Sequence, residues 1–284
     1  GRIWKVIFWN GWGEAVMFNM LRMDLRRMFR SRGFKIVLLV TAALILMVSL
    51  MIAMVSDPAS MDDMSAQGAD IDEYDRQMAE EMRSMTQLDL VHETLCNGFL
   101  LCVVGIGFTL FVGGDFSGGF IKNTCCAQLR RGTYVLSKVL TAGVYSGILT
   151  LWCIVLMLLA PRLFGMRPLA NAVPDILQYV FWMWLPHWAF ALMGLAIVLL
   201  TRSTTLGVMV SSVAGGNLTV LTLGTLNRLL HLPPFERYLL ASVVNGVYTP
   251  QGGVTQAGMV LACAVGWAVV YGAVSLLAME KRDI

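Results

Sequence analysis

The amino-acid sequence predicts an all-α membrane protein, and three observations support this fold class. Of the 284 residues, 57% are hydrophobic and only 14% are charged, with a mean hydropathy of +0.69; a soluble domain carries about a quarter charged residues. The charged residues leave six uncharged windows, each long enough for a helix to cross a bilayer core of about 30 Å. No window alternates apolar and polar residues as barrel strands do, so the predicted spans are helices.

The six predicted transmembrane helices lie within one domain, residues 17–284, and charged residues mark the ends of several windows. The first window lies between Lys35 and Asp57, and the fourth lies between Asp175 and Arg202. Residues 1–16 form an N-terminal extension to which we assign no role. The predicted spans are about 36–56, 94–114, 139–160, 176–201, 203–227 and 254–279.

The distribution of Lys and Arg predicts the orientation, because cytoplasmic loops carry an excess of these residues. With six spans both termini share one side, and within residues 17–284 that side holds 13 Lys and Arg against 6 on the other. We therefore expect both termini and residues 114–139 to be cytoplasmic. The loop 57–93, with eleven Asp and Glu against two Arg, is expected outside. It is expected to form a helix that runs into the second span and has on one face Ile71, Tyr74, Met78, Met82, Met85 and Leu88.

The basic segment 17–33, MFNMLRMDLRRMFRSRG, has the spacing of an amphipathic helix. Phe18, Leu21 and Leu25 follow a helical period with Met28 and Phe29. We predict a separate helix in the headgroup plane, with its arginines on phosphates and Phe and Leu in the acyl boundary. The alternative is a plain basic anchor before the first span. The arginines concerned are Arg22, Arg26, Arg27 and Arg30.

The segment 114–139, GDFSGGFIKNTCCAQLRRGTYVLSKV, is longer than a turn between two spans requires. Asp115 is predicted to cap a new short helix, which would have Phe116 and Phe120 on its apolar side. Lys122 and Asn123 lie on its polar side. A second helix is predicted to follow Arg130 and Arg131 and to enter the third span at Lys138. Such a rigid helix across the cytoplasmic face can seat in a cleft of another protein.

Two of the predicted spans contain features that favour specific contacts. Among Asp, Glu, Lys, Arg and His, His187 is the only residue well inside any span, so it is expected to face the protein interior or water. It could contact substrate or be a neutral histidine bonded to a neighbouring helix. Gly207, Ser211, Gly215 and Thr219 recur every four residues in the fifth span and predict a close packing seam, within the protomer or across a dimer.

Residues 238–247 form an apolar stretch that is too short to span a membrane. They lie in the predicted external segment between the fifth and sixth spans. We predict that this stretch is a re-entrant half-helix.

The chain carries no visible energy-converting or catalytic motif. GxxxxGK[ST], HExxH and GxSxG are all absent from the sequence, and the predicted spans contain no carboxylate. Secondary carriers usually have intramembrane carboxylates, so a carrier is disfavoured. We expect no enzymatic activity, no catalytic or metal-ligating residue and no cofactor bound by this chain. A partner is therefore expected to supply the energy.

The order of elements and two motifs resemble permeases of ABC-2-type transporters. A basic amphipathic helix, a span, an external loop and a second span precede DFSGGFIKN (115–123) and LRRGTYVLSK (129–138). These stretches are similar to the family's acidic-aromatic-x-x-G-x-[IL]-[KR]-N and R-x-x-[YF]-x-x-x-K patterns. FALMGLAIVLLTRSTTLG (190–207) is similar to the turn between the family's fourth and fifth spans. The subfamily resembled is that of small bacterial permeases of the bacitracin-resistance and lantibiotic-immunity type.

This resemblance implies a subunit of an ABC exporter in the bacterial cytoplasmic membrane, embedded in lipid and without nucleic-acid partners. Residues 17–33 would be the connecting helix, beside a coupling helix that contacts a separate ATPase subunit. ATP and Mg²⁺ would bind to that subunit, and a second permease, identical or a sister, would complete the exporter. The coupling residues implied are Asp115, Phe116, Ser117, Gly118, Gly119, Phe120, Lys122 and Asn123, with Arg130 and Arg131.

The resemblance also implies a substrate path near the second and fifth spans. Candidate residues of this path are His187, Gly207, Ser211 and Gly215. The expected cargo is lipophilic or peptide-like, including antimicrobial compounds. An alternative function is an immunity or sensor protein that binds membrane-active cationic peptides through the acidic loop 57–93, with transport secondary.

Overall fold

Long helices dominate the structure, a computed structural model that describes residues 12–68, 70–117, 131–249 and 253–281. A 3₁₀ turn, Phe235–Tyr238, and a two-stranded antiparallel hairpin of β1 (Tyr248–Thr249) and β2 (Gly253–Val254) interrupt the helical pattern. The helices are α1 (Trp12–Arg30), α2 (Arg32–Ser56), α3 (Pro58–Ala66), α4 (Glu73–Ser84), α5 (Gln87–Leu95), α6 (Phe99–Ser117), α7 (Arg131–Leu163), α8 (Val173–Thr201), α9 (Thr204–Gly215), α10 (Leu218–Leu230), α11 (Leu240–Asn245) and α12 (Ala257–Lys281).

Five helices in the described residues, α2, α6, α7, α8 and α12, are long and apolar enough to cross a membrane. This supports the prediction of an all-α, multi-pass membrane protein. The fifth predicted span, 203–227, is not one straight helix, because α9 and α10 meet at an angle of 59°. Asn217 has a positive φ of 61°, a left-handed conformation that ends a right-handed helix.

Helix α1 is separate from the first span, as predicted. Ser31 has an extended backbone, and its side chain accepts a hydrogen bond from the Phe34 amide at the start of α2. Phe18 and Phe29 on α1 are exposed, which agrees with a lipid-facing surface. A second face of α1, which was not predicted from the sequence, is buried in protein and includes Asp24.

The acidic loop folds into three helices, so the prediction of one helix sharing a face from Ile71 to Leu88 is wrong. Helix α4 ends at Ser84, and a new helix begins after Thr86, whose side chain forms a capping box with Asp89. The Gln87 amide donates to the Leu169 carbonyl over 2.9 Å, which anchors this break to the α7–α8 loop. The capping box and this anchor outweigh the apolar periodicity that suggested a continuous helix.

A small-residue seam joins α6 to α9 within one protomer and confirms the predicted close packing. Gly207, Ser211 and Gly215 are all buried, whereas Thr219, the fourth predicted member, lies on α10 beyond the bend. A Cβ atom at Gly215 would lie 2.9 Å from the Cys102 backbone nitrogen. Gly98 has a positive φ of 84°, and a Cβ there would overlap the Gly215 carbonyl. Only glycines permit this approach of two backbones.

The predicted re-entrant half-helix at 238–247 is only the two-turn helix α11. Its residues Leu240, Ala241, Val243 and Val244 are buried against the bundle, and the chain then turns into the β1–β2 hairpin. At 1.5 Å per residue, a six-residue helix is about 9 Å long, so it is a packed cap rather than a half-span.

Gly215→Ala is expected to lower the stability of the bundle by about 1–3 kcal/mol, because the new methyl group must displace the α6 backbone. Thermal unfolding in detergent measures the change. Gly266→Ala on α12 is the matched control, since a Cβ there meets no atom of the described residues within 4 Å. An unchanged melting temperature for Gly215→Ala would show that the seam is looser than described.

Candidate functional site

Three buried charged side chains from three helices meet at the end of α6. Asp24 on α1, Asp115 on α6 and Lys138 on α7 are each at most 1% exposed. The Lys138 Nζ atom lies 2.7 Å from Asp24 Oδ1 and 2.8 Å from Asp115 Oδ2. One ammonium group therefore joins the carboxylates of two different helices.

Arg27 is the second cation of this group, which we call the charge cluster (Asp24, Arg27, Asp115, Lys138). Its guanidinium pairs with Asp115 and lies 3.9 Å from Asp24. It also lies 4.7 Å from the centre of the Phe111 ring, and Lys138 Nζ lies 5.0 Å from the same ring. Two cations above one aromatic ring gain cation–π attraction in addition to their ion pairs.

Two hydroxyl groups on α7 complete the carboxylate contacts. Tyr134 donates a hydrogen bond to Asp115 Oδ2 over 2.9 Å, and Ser137 donates to Asp24 Oδ2 over 3.0 Å. The four ionised side chains sum to a net charge of zero. Burial of charge is costly unless the charges are paired and hydrogen-bonded, and the cluster meets both conditions.

The charge cluster corrects the predicted role of Asp115 as the cap of a new helix. Helix α6 continues through Ser117, so Asp115 lies in its last turn, one turn after Phe111. A carboxylate with a nearby ammonium, guanidinium and phenol is more stable facing inward than capping an exposed helix. Tyr134 and Lys138 are four residues apart and therefore share the face of α7 that meets it.

The remaining coupling residues predicted from sequence are only partly described. Phe116 is half-buried, and Ser117 and Arg131 lie at the ends of α6 and α7. Arg22, Arg26 and Arg30 are exposed on α1, whereas Arg27 turns into the charge cluster. The other predicted residues, Gly118, Gly119, Phe120, Lys122, Asn123 and Arg130, lie outside the described residues.

The candidate path residues are packed in the protein interior. His187 is completely buried, as expected, and its ring Nδ1 donates to the Met183 carbonyl of its own helix over 2.5 Å. Ser211 Oγ lies 3.4 Å from Thr109 Oγ1 across the seam that also contains Gly207 and Gly215. Their contribution to a substrate path stays a prediction.

A second buried polar group, which the sequence analysis missed, lies at the opposite end of the bundle. His92 on α5 approaches the Asn245 carbonyl with Nε2 over 3.2 Å and the Tyr179 hydroxyl with Nδ1 over 3.3 Å. A carbonyl only accepts, so Nε2 carries the proton and Nδ1 accepts from Tyr179. Tyr248 donates to Asp89 Oδ1 over 2.9 Å. These contacts tie α5 to α8, α11 and the hairpin.

Burial lowers the pKa of His92 below its ordinary value of 6.5. The Asn245 carbonyl and the carboxylates of Glu93 and Asp89 act in the opposite direction, but the loss of hydration outweighs them. The neutral imidazole is therefore the form that the folded protein favours.

Comparison with protein-family models and with curated proteins gave no match for this chain.

Lys138→Met is expected to cost about 3–5 kcal/mol of stability, because it leaves a buried carboxylate without its cation. The double variant Asp24→Asn/Lys138→Met should be more stable than the single one, since it restores a net charge of zero. Thermal unfolding in detergent compares the two. Arg26→Met, at an exposed position of α1, is the control and should change little. A double variant less stable than Lys138→Met would contradict the charge-balance argument.

Acidification is expected to destabilise the protein through His92. Because the pKa of His92 is lowered on folding, the unfolded chain binds the proton first, and stability falls as the pH drops from about 6.5 towards the folded-state pKa. His92→Gln should reduce this dependence in melting curves taken between about pH 7 and pH 5, around the ordinary pKa of histidine. His231→Gln, at an exposed position, should keep it. Identical pH profiles for wild type and His92→Gln would refute the assignment.

Proposed function

We propose that this chain is the permease subunit of an ABC exporter that moves a lipophilic or peptide-like substrate across a bacterial cytoplasmic membrane. The observation that carries the proposal is the charge cluster. It binds the end of α6 and the start of α7 to each other and to α1. The segment between them, residues 118–130, contains GGFIKN, the second part of the DFSGGFIKN motif, and both of its ends are therefore joined to the charge cluster.

This geometry suits a segment that transmits a movement of a partner protein to the membrane-spanning helices. A displacement of residues 118–130 would act on α1, α6 and α7 together, because the charge cluster resists their separation. The small-residue seam would then pass the displacement from α6 to α9. The chain itself performs no bond chemistry in this mechanism, and an ATPase subunit with ATP and Mg²⁺ supplies the energy.

The proposed assembly has both termini in the cytoplasm and contains a second permease, identical or a sister chain. Exposed apolar side chains on α2, including Leu39, Met47 and Met51, are consistent with contact to lipid. The acidic helices α3 and α4 would then lie on the outer side.

A peptide-binding immunity or sensor protein is the second candidate function. Glu73, Glu80 and Glu81 on α4 are exposed and offer a surface that attracts cationic peptides. In that case transport would be secondary, and a stable ATPase partner would not be required.

The structure also guides the choice of variant. Asp115→Lys is unsuitable for testing coupling, since it would bring a third cation into a buried cluster and disturb the fold. Gly119→Trp alters the proposed contact surface without changing any member of the charge cluster. Gly258→Trp is the matched control, because a side chain at Gly258 on α12 enters open space.

Purification of the tagged full-length chain from its native membrane in mild detergent is expected to bring down a P-loop ATPase at one copy per permease. Gly119→Trp should reduce this recovery or uncouple ATP hydrolysis from transport, whereas Gly258→Trp should do neither. Mass spectrometry identifies the partner and any second permease. Recovery of the chain without an ATPase would reject the exporter and favour the sensor. Equal coupling in both variants would reject the role of residues 115–123.

A further inference from the structure

A cavity of about 650 Å³ opens at the end of α2 that is remote from α1. Its walls come from α2, α3, α4 and the loop between α7 and α8. The volume lies within the range of about 300–1,000 Å³ that small-molecule sites occupy. Neither the charge cluster nor the small-residue seam contributes to its lining.

One wall of the cavity is apolar and continues into the outer surface of α2. Leu50 and Met54 line the cavity and are 42% and 49% exposed. Met47 and Met51 extend the same exposed apolar surface along the span. An alkyl chain that lies on this surface therefore meets the cavity without leaving an apolar environment.

The water-facing part of the cavity carries two arginines, Arg83 and Arg167. The Nε of Arg83 donates to the Ser56 carbonyl, which fixes α4 against the end of α2. Arg167 belongs to a loop whose residue Leu169 donates to the Met85 carbonyl over 3.4 Å. Both arginines are thus carried by segments that are fixed to the walls.

The acidic lining is weak by comparison. Asp57 is the only acid among the described lining residues, and its carboxylate accepts hydrogen bonds from the amide and hydroxyl of Ser60 at the start of α3. The cavity lining therefore has a net positive charge, although the loop 57–93, which supplies part of it, is acidic overall. A cationic peptide would meet two arginines here, so the observations favour an anion.

We infer that this cavity binds the phosphate headgroup of an amphiphile that enters sideways from the bilayer. The phosphate contacts Arg83 and Arg167, and the acyl chain lies on Leu50 and Met54. From Leu50 to Ser56 α2 rises about 9 Å, which matches the passage from acyl chains to the headgroup layer. Guanidinium groups suit phosphate because they offer paired donors in one plane. The inference does not require an ATPase partner.

Photolabelling of the purified full-length protein in dodecyl maltoside tests the site. The probe is phosphatidic acid with a diazirine in its acyl chain, and diacylglycerol with the same chain is the comparison without phosphate. Phosphatidic acid should label peptides that contain residues 47–54 or 164–168. Arg167→Gln should reduce this labelling about tenfold, the ratio that corresponds to about 1.4 kcal/mol, and Arg167→Lys should restore part of it.

Arg76→Gln is the matched control, since Arg76 is exposed on α4 and pairs with Asp62 outside the cavity lining. It should leave labelling unchanged. Arg83→Gln is a second variant with the same expected loss, and Arg167→Gln stays informative if Arg83→Gln does not fold. Equal labelling by diacylglycerol, or full labelling of Arg167→Gln, would overturn the inference. If inorganic phosphate displaces the photolabel as effectively as unlabelled phosphatidic acid does, the site binds free anions instead. If a cationic peptide competes with the photolabel, and competes more strongly in Arg167→Gln than in the wild type, the site binds peptides.

Discussion

The charge cluster is the constraint on which the rest of the structure depends. Four charges sit where α1, α6 and α7 converge, and Asp24, Asp115 and Lys138 have almost no access to solvent. Leaving one such charge unpaired costs several kcal/mol, whereas an exposed pair such as Arg76–Asp62 contributes at most about 1 kcal/mol. Helices that separate at this junction would leave charges unpaired, so the cluster specifies one arrangement of the three.

Along the rest of α6, close packing of uncharged small residues against α9 stabilises the structure. The α6 residues that face α9 are glycine, threonine and cysteine, and they meet glycine and serine on α9, so the two backbones approach closely and dispersion forces act over a long contact. Lipid tails can replace a neighbouring helix as the contact of a large apolar side chain, but they do not pack as closely against a glycine surface as a second glycine surface does. The seam ends where Gly215, Gly216 and Asn217 bend the chain into α10, and Asn217 adopts its left-handed conformation there.

Local patterns predicted the long apolar helices of a multi-pass membrane protein, because the length of an uncharged window is a property of one stretch of sequence. The separate helix α1 and the seam at Gly207, Ser211 and Gly215 could also be predicted, because their residue spacing is likewise a property of one stretch of sequence. Asp115 was misjudged because its partners, Lys138 and Arg27, are distant in sequence and nothing local shows the pairing. A usable signal for Asp24 did exist: it is the lone acid of the basic segment 17–33 and shares a buried side of α1 with Met20 and Met28.

The same distinction explains why the predicted helix from Ile71 to Leu88 failed and why His92 was missed. The break at Met85 and Thr86 depends on pairing with Leu169, and the His92 contacts depend on Tyr179 and Asn245. All are long-range contacts.

Helix α6 is held at three places. His92 and α5 hold one end, the small-residue seam holds its length, and Asp115 holds the other end. On the proposed function, a push on residues 118–130 would therefore act on α6 along its whole length, because these contacts hold both of its ends and the surface between them.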